Sequence, residues 1–196
     1  MSDSYFISDL HIGQKSIINY RFRPDNNNQR FETVEDHDNM VIESILSTVG
    51  KRDILWLLGD NIFNGDIKII EYLAKHVRHL NTVPGNHDFE NKKSPSLQEY
   101  LNVPNVNVYP GLVKYKEFWL SHAPVHSDHL RGRKNVHGHV HPYSINDPNY
   151  INVCVESDLC NFKPISITDI RDLIASGEHA ETLEMQWLHS NNIIVC

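Results

Sequence analysis

The sequence of 196 residues lacks any apolar run near the roughly 18 residues that a membrane-spanning helix needs. Its first residues, Met1-Ser2-Asp3-Ser4, lack the basic and apolar regions of a secretion signal. Cysteine is scarce: Cys154, Cys160 and Cys196 are odd in number and lack the spacing of a zinc site. We therefore expect a soluble cytoplasmic protein with no membrane partner and with reduced, mostly structural thiols.

The sequence also lacks linkers, repeats and an excess of positive charge. No Ser/Gly-rich or Pro-rich tract interrupts the chain, and its length is that of one domain. We predict a single domain over residues 1–196, with a C-terminal hairpin extension over residues 178–196. The formal net charge of −7 disfavours non-specific binding to duplex nucleic acid, which depends on many Lys and Arg contacts with phosphates.

Five polar clusters, each directly after a short apolar run, stand out against this background. In chain order they are Asp9-Leu10-His11, Gly59-Asp60-Asn61, Gly85-Asn86-His87-Asp88, Ser121-His122 and Gly138-His139-Val140-His141. The apolar runs predict short buried strands. Ligand sites in open α/β sheets lie beyond the carboxyl ends of strands, so we expect the clusters to converge. Their Asp, Asn and His side chains suit divalent metals and suffice for two ions that share a ligand.

Glycine precedes three of these clusters, at Gly59, Gly85 and Gly138. A tight turn or a close approach of the backbone to the site favours a residue without Cβ. We therefore expect other groups of the site to lie against these three positions.

Helices are predicted in the spaces between the strands. Thr33 with Asp36 forms a capping pattern before an apolar stripe that ends at Gly50. A second amphipathic segment begins at Asp66, and a third begins at Ser166 or Thr168 and ends at Gly177. Strands alternating with helices, followed by consecutive strands, suggest two packed sheets flanked by helices.

The ordered motifs D-x-H, G-D-x-x, G-N-H-[DE], H and G-H-x-H resemble the signature of the calcineurin-like metallophosphoesterases. All five are present, and the resemblance covers residues 4–174. Arg23-Pro24 and Phe31 further resemble the short single-domain bacterial and phage branch of that family. The resemblance implies an α/β fold, a four-layer α/β/β/α sandwich of two mixed sheets flanked by helices.

The resemblance also implies a dinuclear metal centre. The ligands implied for the first ion are Asp9, His11 and His141. The ligands implied for the second ion are Asn86, His122 and His139. The resemblance implies that Asp60 bridges the two ions, and its negative charge is needed because two dications repel each other at short range. We expect Mn²⁺ to activate best, although the same ligands accept Fe, Zn, Co or Ni.

Hydrolysis of a phosphate ester needs a nucleophile, charge neutralisation and a protonated leaving group. Two cations about 3.5–4 Å apart supply the first two, by activating a bridging water and by holding phosphoryl oxygens. In the family pattern His87 lies beside the scissile phosphate and is oriented by Asp88, which makes His87 the candidate general acid. The alternative is a structural His87 that is merely hydrogen-bonded to Asp88.

Positive side chains lie near the expected mouth of the site, where Arg131 or Arg133 would hold a second phosphate of the substrate. The predicted substrate contacts are Arg23, His126 and Arg131, and further cationic candidates are Arg21, Lys92, Lys93 and Arg133. The alternative is that these residues belong to solvated loops. Gly59-Asp60 continues as Asn61-Ile62 rather than Asp-Arg-Gly, which disfavours the phosphoprotein substrates of the protein-phosphatase branch.

The sequence thus predicts a dinuclear-metal phosphoesterase acting on a small phosphodiester or nucleotide-like substrate. A nuclease acting on single-stranded or terminal nucleic acid is the alternative enzyme, disfavoured because the sequence shows no long basic track. A catalytically inactive phosphoesterase-like scaffold is a third interpretation, opposed by the complete set of metal-ligand candidates. The sequence pattern gives no indication of an oligomeric state.

Overall fold

The computed structural model describes residues 2–89 and 92–177, so the predicted hairpin over residues 178–196 lies outside the described residues. The strands are β1 (Ser4–Ile7), β2 (Phe22–Arg23), β3 (Asn26–Arg30), β4 (Ile54–Leu57), β5 (His79–Thr82), β6 (Val106–Val108), β7 (Leu112–Tyr115), β8 (Phe118–Ser121), β9 (Lys134–His137), β10 (Tyr150–Asn152) and β11 (Ile165–Ser166). The α-helices are α1 (Val34–Thr48), α2 (Lys68–His76), α3 (Leu97–Asn102) and α4 (Ile167–Ser176). None of the helices in this described part is long and apolar enough to cross a bilayer.

Two mixed sheets form the centre of the structure. The first has the order β11-β1-β4-β5-β6, in which β1, β4, β5 and β6 run parallel and β11 is antiparallel. The second has the order β10-β9-β8-β7, in which only the β7–β8 pair is antiparallel. Strands β2 and β3 form a separate hairpin. This arrangement confirms the predicted α/β fold with two mixed sheets and flanking helices.

The first sheet is buried on both faces. Consecutive side chains of a strand point to opposite sides, and each side of this sheet packs against another layer. One face packs on helices: Ile7 and Leu57 lie in a cluster with Val41 and Ile45 of α1. The other face packs on the second sheet, since the fully buried Phe6, Trp56 and Leu58 join a second cluster. The members of that cluster from the second sheet and α4 include Phe118, Leu120, Val136 and Ile170.

Helices α1 and α4 begin where the sequence predicts, whereas α2 begins at Lys68, two residues after the predicted Asp66. The Thr33 side chain accepts a hydrogen bond from the Asp36 amide at the start of α1, and the Ser166 side chain accepts one from the Asp169 amide at the start of α4. Helix α4 ends at Gly177 in the left-handed conformation, φ 71°. Helix α3 is an element that the sequence analysis missed, although its capping box of Ser96 and Glu99 is a local signal.

The two sheets meet just beyond the carboxyl end of β1. Ser8 forms an isolated parallel bridge with Cys154, and its amide donates to the Val153 carbonyl at 2.8 Å. The Val155 amide donates to the Ser8 carbonyl at 2.9 Å. Loops from both sheets are thereby held against one another. Within the described chain Cys154 and Cys160 are buried and free, as the sequence predicts, whereas Cys196 lies outside it.

Candidate metal centre

The predicted metal ligands lie in loops that follow five strands, β1, β4, β5, β8 and β9. Asp9, His11 and His141 offer ligand atoms that all lie within 4.8 Å of one another. Asp9, Asp60 and His122 form a second group of the same kind. The two groups share Asp9, so the structure brings together carboxylates and imidazoles from both sheets.

The Asp60 carboxylate lies between the two groups of histidines. Its Oδ2 atom is 3.7 Å from Nε2 of His11 and 3.3 Å from Nε2 of His122. The remaining two ligand candidates lie around His122: its Nε2 atom is 3.0 Å from Oδ1 of Asn86 and 3.2 Å from Nδ1 of His139. All seven predicted ligands therefore occupy one centre.

Buried polar atoms of this centre fit a cation. Oδ1 of Asp9 and both ring nitrogens of His11 are buried and have no hydrogen-bond partner in the described part of the chain. A buried polar atom without a hydrogen-bond partner costs free energy, so we expect these atoms to bind a ligand. Imidazole nitrogen with carboxylate oxygen is a donor set that borderline divalent metals accept.

The other oxygen of Asp9 is fully engaged by the protein. Its Oδ2 atom accepts from the Ser8 hydroxyl at 2.6 Å, from the His139 amide at 2.9 Å and from the Cys154 thiol at 3.1 Å. Burial alone would raise the pKa of Asp9, but the imidazoles of His11, His122 and His141 hold that pKa well below its ordinary value. Asp9 is therefore an oriented carboxylate with Oδ1 left for a cation.

The negative charge of the centre also acts on its histidines. Burial alone would lower the pKa of His122, but the carboxylates of Asp60 and Asp9 raise it to about 9. The centre therefore favours bound positive charge.

Five of the ligand candidates have backbones in the left-handed region, which non-glycine residues rarely adopt. Their φ angles are 58° at Asp9, 50° at His11, 52° at Asp60, 74° at His139 and 57° at His141. Such conformations cost on the order of 1–3 kcal/mol each and persist where the surroundings impose them. The Asp9 amide donates to the Gly59 carbonyl at 3.0 Å, and the His11 amide donates to the Asp60 carbonyl at 2.9 Å.

Glycines allow these loops to approach one another, as the sequence analysis expects. A Cβ at Gly138 would lie 1.9 Å from Oγ of Ser8 and 2.3 Å from Oδ2 of Asp9. A Cβ at Gly85 would lie 2.1 Å from Oδ1 of Asp60. Any side chain at either position would displace the centre.

Asp88 fixes the two turns that carry Asp60 and Asn86. Its buried carboxylate accepts from the backbone amides of Asp60, Asn61 and Gly85 at 2.8, 3.0 and 2.9 Å. Burial raises the pKa of Asp88 to about 6, although these amide hydrogen bonds oppose the shift. The orientation of His87 by Asp88 stays a prediction. The His87 amide donates to Oδ1 of Asp60 at 2.9 Å, and its ring lies 5.8 Å from the ring of His11.

Sequence reasoning missed Glu156, which lies directly behind the centre. Its Oε1 atom is 2.7 Å from Nδ1 of His141, and its Oε2 atom is 2.8 Å from Nη2 of Arg21. Burial alone would raise the pKa of Glu156, but Arg21 and His141 lower it to about 2. No sequence motif links Glu156 to His141; the fold alone joins them.

Arg21 lies beneath the centre, so its suggested role as a substrate contact is wrong. Its side chain is buried, donates to the carbonyls of Asp9 and Leu10, and lies 2.9 Å from Nε2 of His37 on α1. The guanidinium therefore supports the strand end that carries Asp9 and His11, and it offers no group to solvent.

The three predicted substrate contacts lie at the surface. Arg23 pairs with Asp25 at 2.9 Å and with Asp36 at 2.7 Å. His126 begins a short 3₁₀ helix and accepts from the Asp128 amide at 3.3 Å. Arg131 is exposed, with φ 51°. Their contact with a substrate stays a prediction.

Comparison with known proteins identifies relatives over most of the chain. Residues 4–192 match the model of one family, the calcineurin-like phosphoesterases. An uncharacterized protein of Methanocaldococcus jannaschii is 29% identical over 191 residues, 93% of this chain and 97% of that protein. The gene 66 protein of Mycobacterium phage L5 is 27% identical over 169 residues, 72% of this chain and 78% of that protein. A solved protein of unknown function from Aquifex aeolicus shares the fold, with TM-score 0.59 and 24% identity over 88% of this chain and 100% of that one.

Proposed function

This chain belongs to the calcineurin-like phosphoesterase family, and from that membership we propose that it is a metal-dependent hydrolase of a small phosphodiester or nucleotide-like ester. The observation that carries the proposal is the convergence of seven ligand candidates, with Oδ2 of Asp60 lying 3.7 Å from His11 and 3.3 Å from His122. That placement supports Asp60 as the ligand shared by two ions.

Two sets of residues would hold the metals, and we propose Mn²⁺ as the ion that activates best. The first set is Asp9, His11 and His141. The second set is Asn86, His122 and His139. Bound divalent ions would supply the nucleophile and neutralise the charge of the phosphoryl group.

His87 is the proposed general acid. Water loses a proton to the solvent as its oxygen bonds to phosphorus, the bond between phosphorus and the leaving oxygen breaks, and His87 donates a proton to that leaving oxygen. Its support is positional: the backbone amide is tied to Asp60, and the half-buried ring lies beside His11. Asp88 acts as a positioning residue, because it holds the turns on both sides of the centre.

The solvent side of the centre would bind the rest of the substrate. Exposed His126 and Arg131 carry groups suited to a phosphate or another anion, and Arg23 would have to leave its two carboxylate partners to contribute. We retain all three as proposed substrate contacts.

Changing His87 to Ala tests the reaction. We expect Mn²⁺-dependent hydrolysis by the wild type of both a nitrophenyl phosphodiester and an alkyl phosphodiester. His87→Ala should keep its metal content and lose about 10²-fold or more in turnover on the alkyl ester, whose leaving group needs a proton. The loss on the nitrophenyl ester should be smaller, because nitrophenolate leaves without protonation.

Equal losses on the two esters, or loss of metal, would contradict the acid role of His87. Absence of metal-dependent hydrolysis in the wild type would contradict the proposed activity as a whole. A single-stranded oligonucleotide in the same panel tests the alternative nuclease.

A further inference from the structure

A groove with a volume of about 680 Å³ opens beside the metal centre. Three segments line it: the loop after His11, the loop after Asp60 and the segment after the third polar cluster. Its lining residues are Gly13, Gln14, Lys15, Ser16, Phe63, Asn64, Lys92 and Lys93. The groove contains none of the metal-ligand candidates, so it is a distinct part of the surface.

Hydrogen bonds between the three segments hold the walls of the groove in place. The amides of Phe63 and Asn64 both donate to the Ile12 carbonyl, at 3.0 and 3.2 Å. The Gly65 amide donates to the Lys93 carbonyl at 3.1 Å, and the Ser94 hydroxyl donates to the Phe63 carbonyl at 2.9 Å. The groove is therefore formed before a ligand binds, so less free energy is lost in ordering its loops on binding.

Gly13 shows how closely two of these walls approach. Its φ is 77°, and a Cβ there would lie 1.6 Å from the carbonyl oxygen of Asn64. Only glycine fits between the two loops at this point.

Phe63 connects the groove with the reacting end of the centre. Its ring lines the groove and lies 5.6 Å from the ring of His87 and 6.4 Å from the ring of His11, measured between centroids. Because His87 is the proposed donor to the leaving oxygen, a leaving group that departs past His87 enters this groove.

The lining has the character of a site for an anionic ring compound. Lys15, Lys92 and Lys93 supply three positive charges, and none of the lining residues that the structure describes is acidic. Phe63 supplies an aromatic face for stacking, and Gln14 and Asn64 supply amides that can hydrogen-bond. Lysine ammonium groups bind phosphate as point charges and attract it in solution.

We propose that this groove binds the leaving-group side of the substrate, and that the leaving alcohol is nucleotide-like and carries a second phosphate. The inference rests on the proposed phosphodiesterase activity. It narrows the substrate to an ester whose leaving alcohol carries a second phosphate in addition to the bond that is cleaved.

Three thymidine dinucleotides test the groove: one with free ends, one with a 5′ phosphate and one with a 3′ phosphate. Only one of the terminal phosphates lies on the leaving-group side. The wild type should prefer that dinucleotide over the free one in kcat/KM. In the triple variant Lys15→Gln, Lys92→Gln, Lys93→Gln this preference should fall about tenfold, the combined effect of three solvent-exposed ion contacts. Lys75→Gln, on the exposed side of α2, is the matched control and should keep the preference.

An unchanged preference in the triple variant, or an equal loss on all three dinucleotides, would overturn the groove assignment. If the wild type hydrolyses the nitrophenyl phosphodiester but none of the dinucleotides, the proposed activity stands and the nucleotide-like leaving group is wrong. If it hydrolyses neither, the proposed activity fails and the groove is tested by equilibrium dialysis instead. Tighter binding of one phosphorylated dinucleotide that the triple variant loses would support the groove. Equal affinity of the wild type for all three would overturn it.

Discussion

At the scale of single residues, the candidate metal centre is held by partners that lie behind its predicted ligands. Glu156 contacts Nδ1 of His141 at 2.7 Å and pairs with the buried Arg21. Carboxylates in this position fix the orientation of a metal-binding imidazole and raise its basicity. Arg21 in turn donates to the carbonyls of Asp9 and Leu10, so one buried ion pair supports ligands from both sheets.

Changing Glu156 to Gln should weaken metal binding. Glutamine keeps the size of the side chain but removes the charge that orients His141 and balances Arg21, so we expect a loss of about 10- to 100-fold in metal affinity. Titration of the metal-free protein with Mn²⁺ measures this loss. Glu117→Gln is the matched control, because Glu117 pairs with Arg171 at the surface, and it should bind metal like the wild type. Wild-type affinity in Glu156→Gln would show that the contact with His141 is incidental.

At the scale of elements, residues near the capped start of helix α1 support the candidate metal centre. The helix begins at the cap formed by Thr33 and carries His37, whose Nε2 atom lies 2.9 Å from Nη1 of Arg21. The next residue, Asp38, accepts from the Gly13 amide at 2.9 Å and so fixes the loop after His11. The start of α1 is therefore positioned under both the centre and one wall of the groove.

Removing the cap of α1 should destabilise the protein. Thr33→Ala loses the hydrogen bond from the Asp36 amide, and we expect the free energy of unfolding to fall by about 1 kcal/mol. Thr33→Ser keeps a hydroxyl acceptor and should stay close to the wild type. Urea unfolding followed by circular dichroism measures both variants. Equal stability of all three proteins would mean that water replaces the cap without cost.

At the scale of the whole molecule, the centre lies across the junction of two sheets. Asp9, His11 and Asp60 follow strands of the first sheet, whereas His122 and His139 follow strands of the second. Backbone contacts hold the sheets together at Ser8 and Cys154, next to Asp9. A cation bound at the centre would therefore tie the two sheets to each other and stabilise the folded state by linkage.

Removing metal should lower the thermal stability of the whole molecule. At a free Mn²⁺ concentration of about 100 times Kd, each site adds about 2.7 kcal/mol to the free energy of unfolding. The two proposed sites together contribute about 5.4 kcal/mol. At about 2–4 °C per kcal/mol for a chain of this size, a chelator should lower Tm by about 10–20 °C. Asp60→Asn, which weakens the shared ligand, should show a smaller difference between the metal-loaded and metal-free forms. The same Tm with and without chelator in the wild type would contradict the metal centre.

The sequence by itself predicted the strands, helix caps and ligand clusters that depend only on residues close together in the chain. Short apolar runs followed by Asp9-Leu10-His11 and Gly138-His139-Val140-His141 gave strands with ligand candidates at their ends, because a strand and its turn are local. The caps at Thr33 and Ser166 were predictable for the same reason. Family motifs then supplied the fold class, which the structure confirmed.

Only the tertiary structure decided which partners support the centre and what lies beside it. Arg21 was one candidate substrate contact in the sequence, yet it is buried beneath Asp9 and paired with Glu156. Lys92 and Phe63 line one groove because the loops that carry them pack against each other. These contacts join residues far apart in the chain, and their energies depend on burial and distance, which no local pattern specifies.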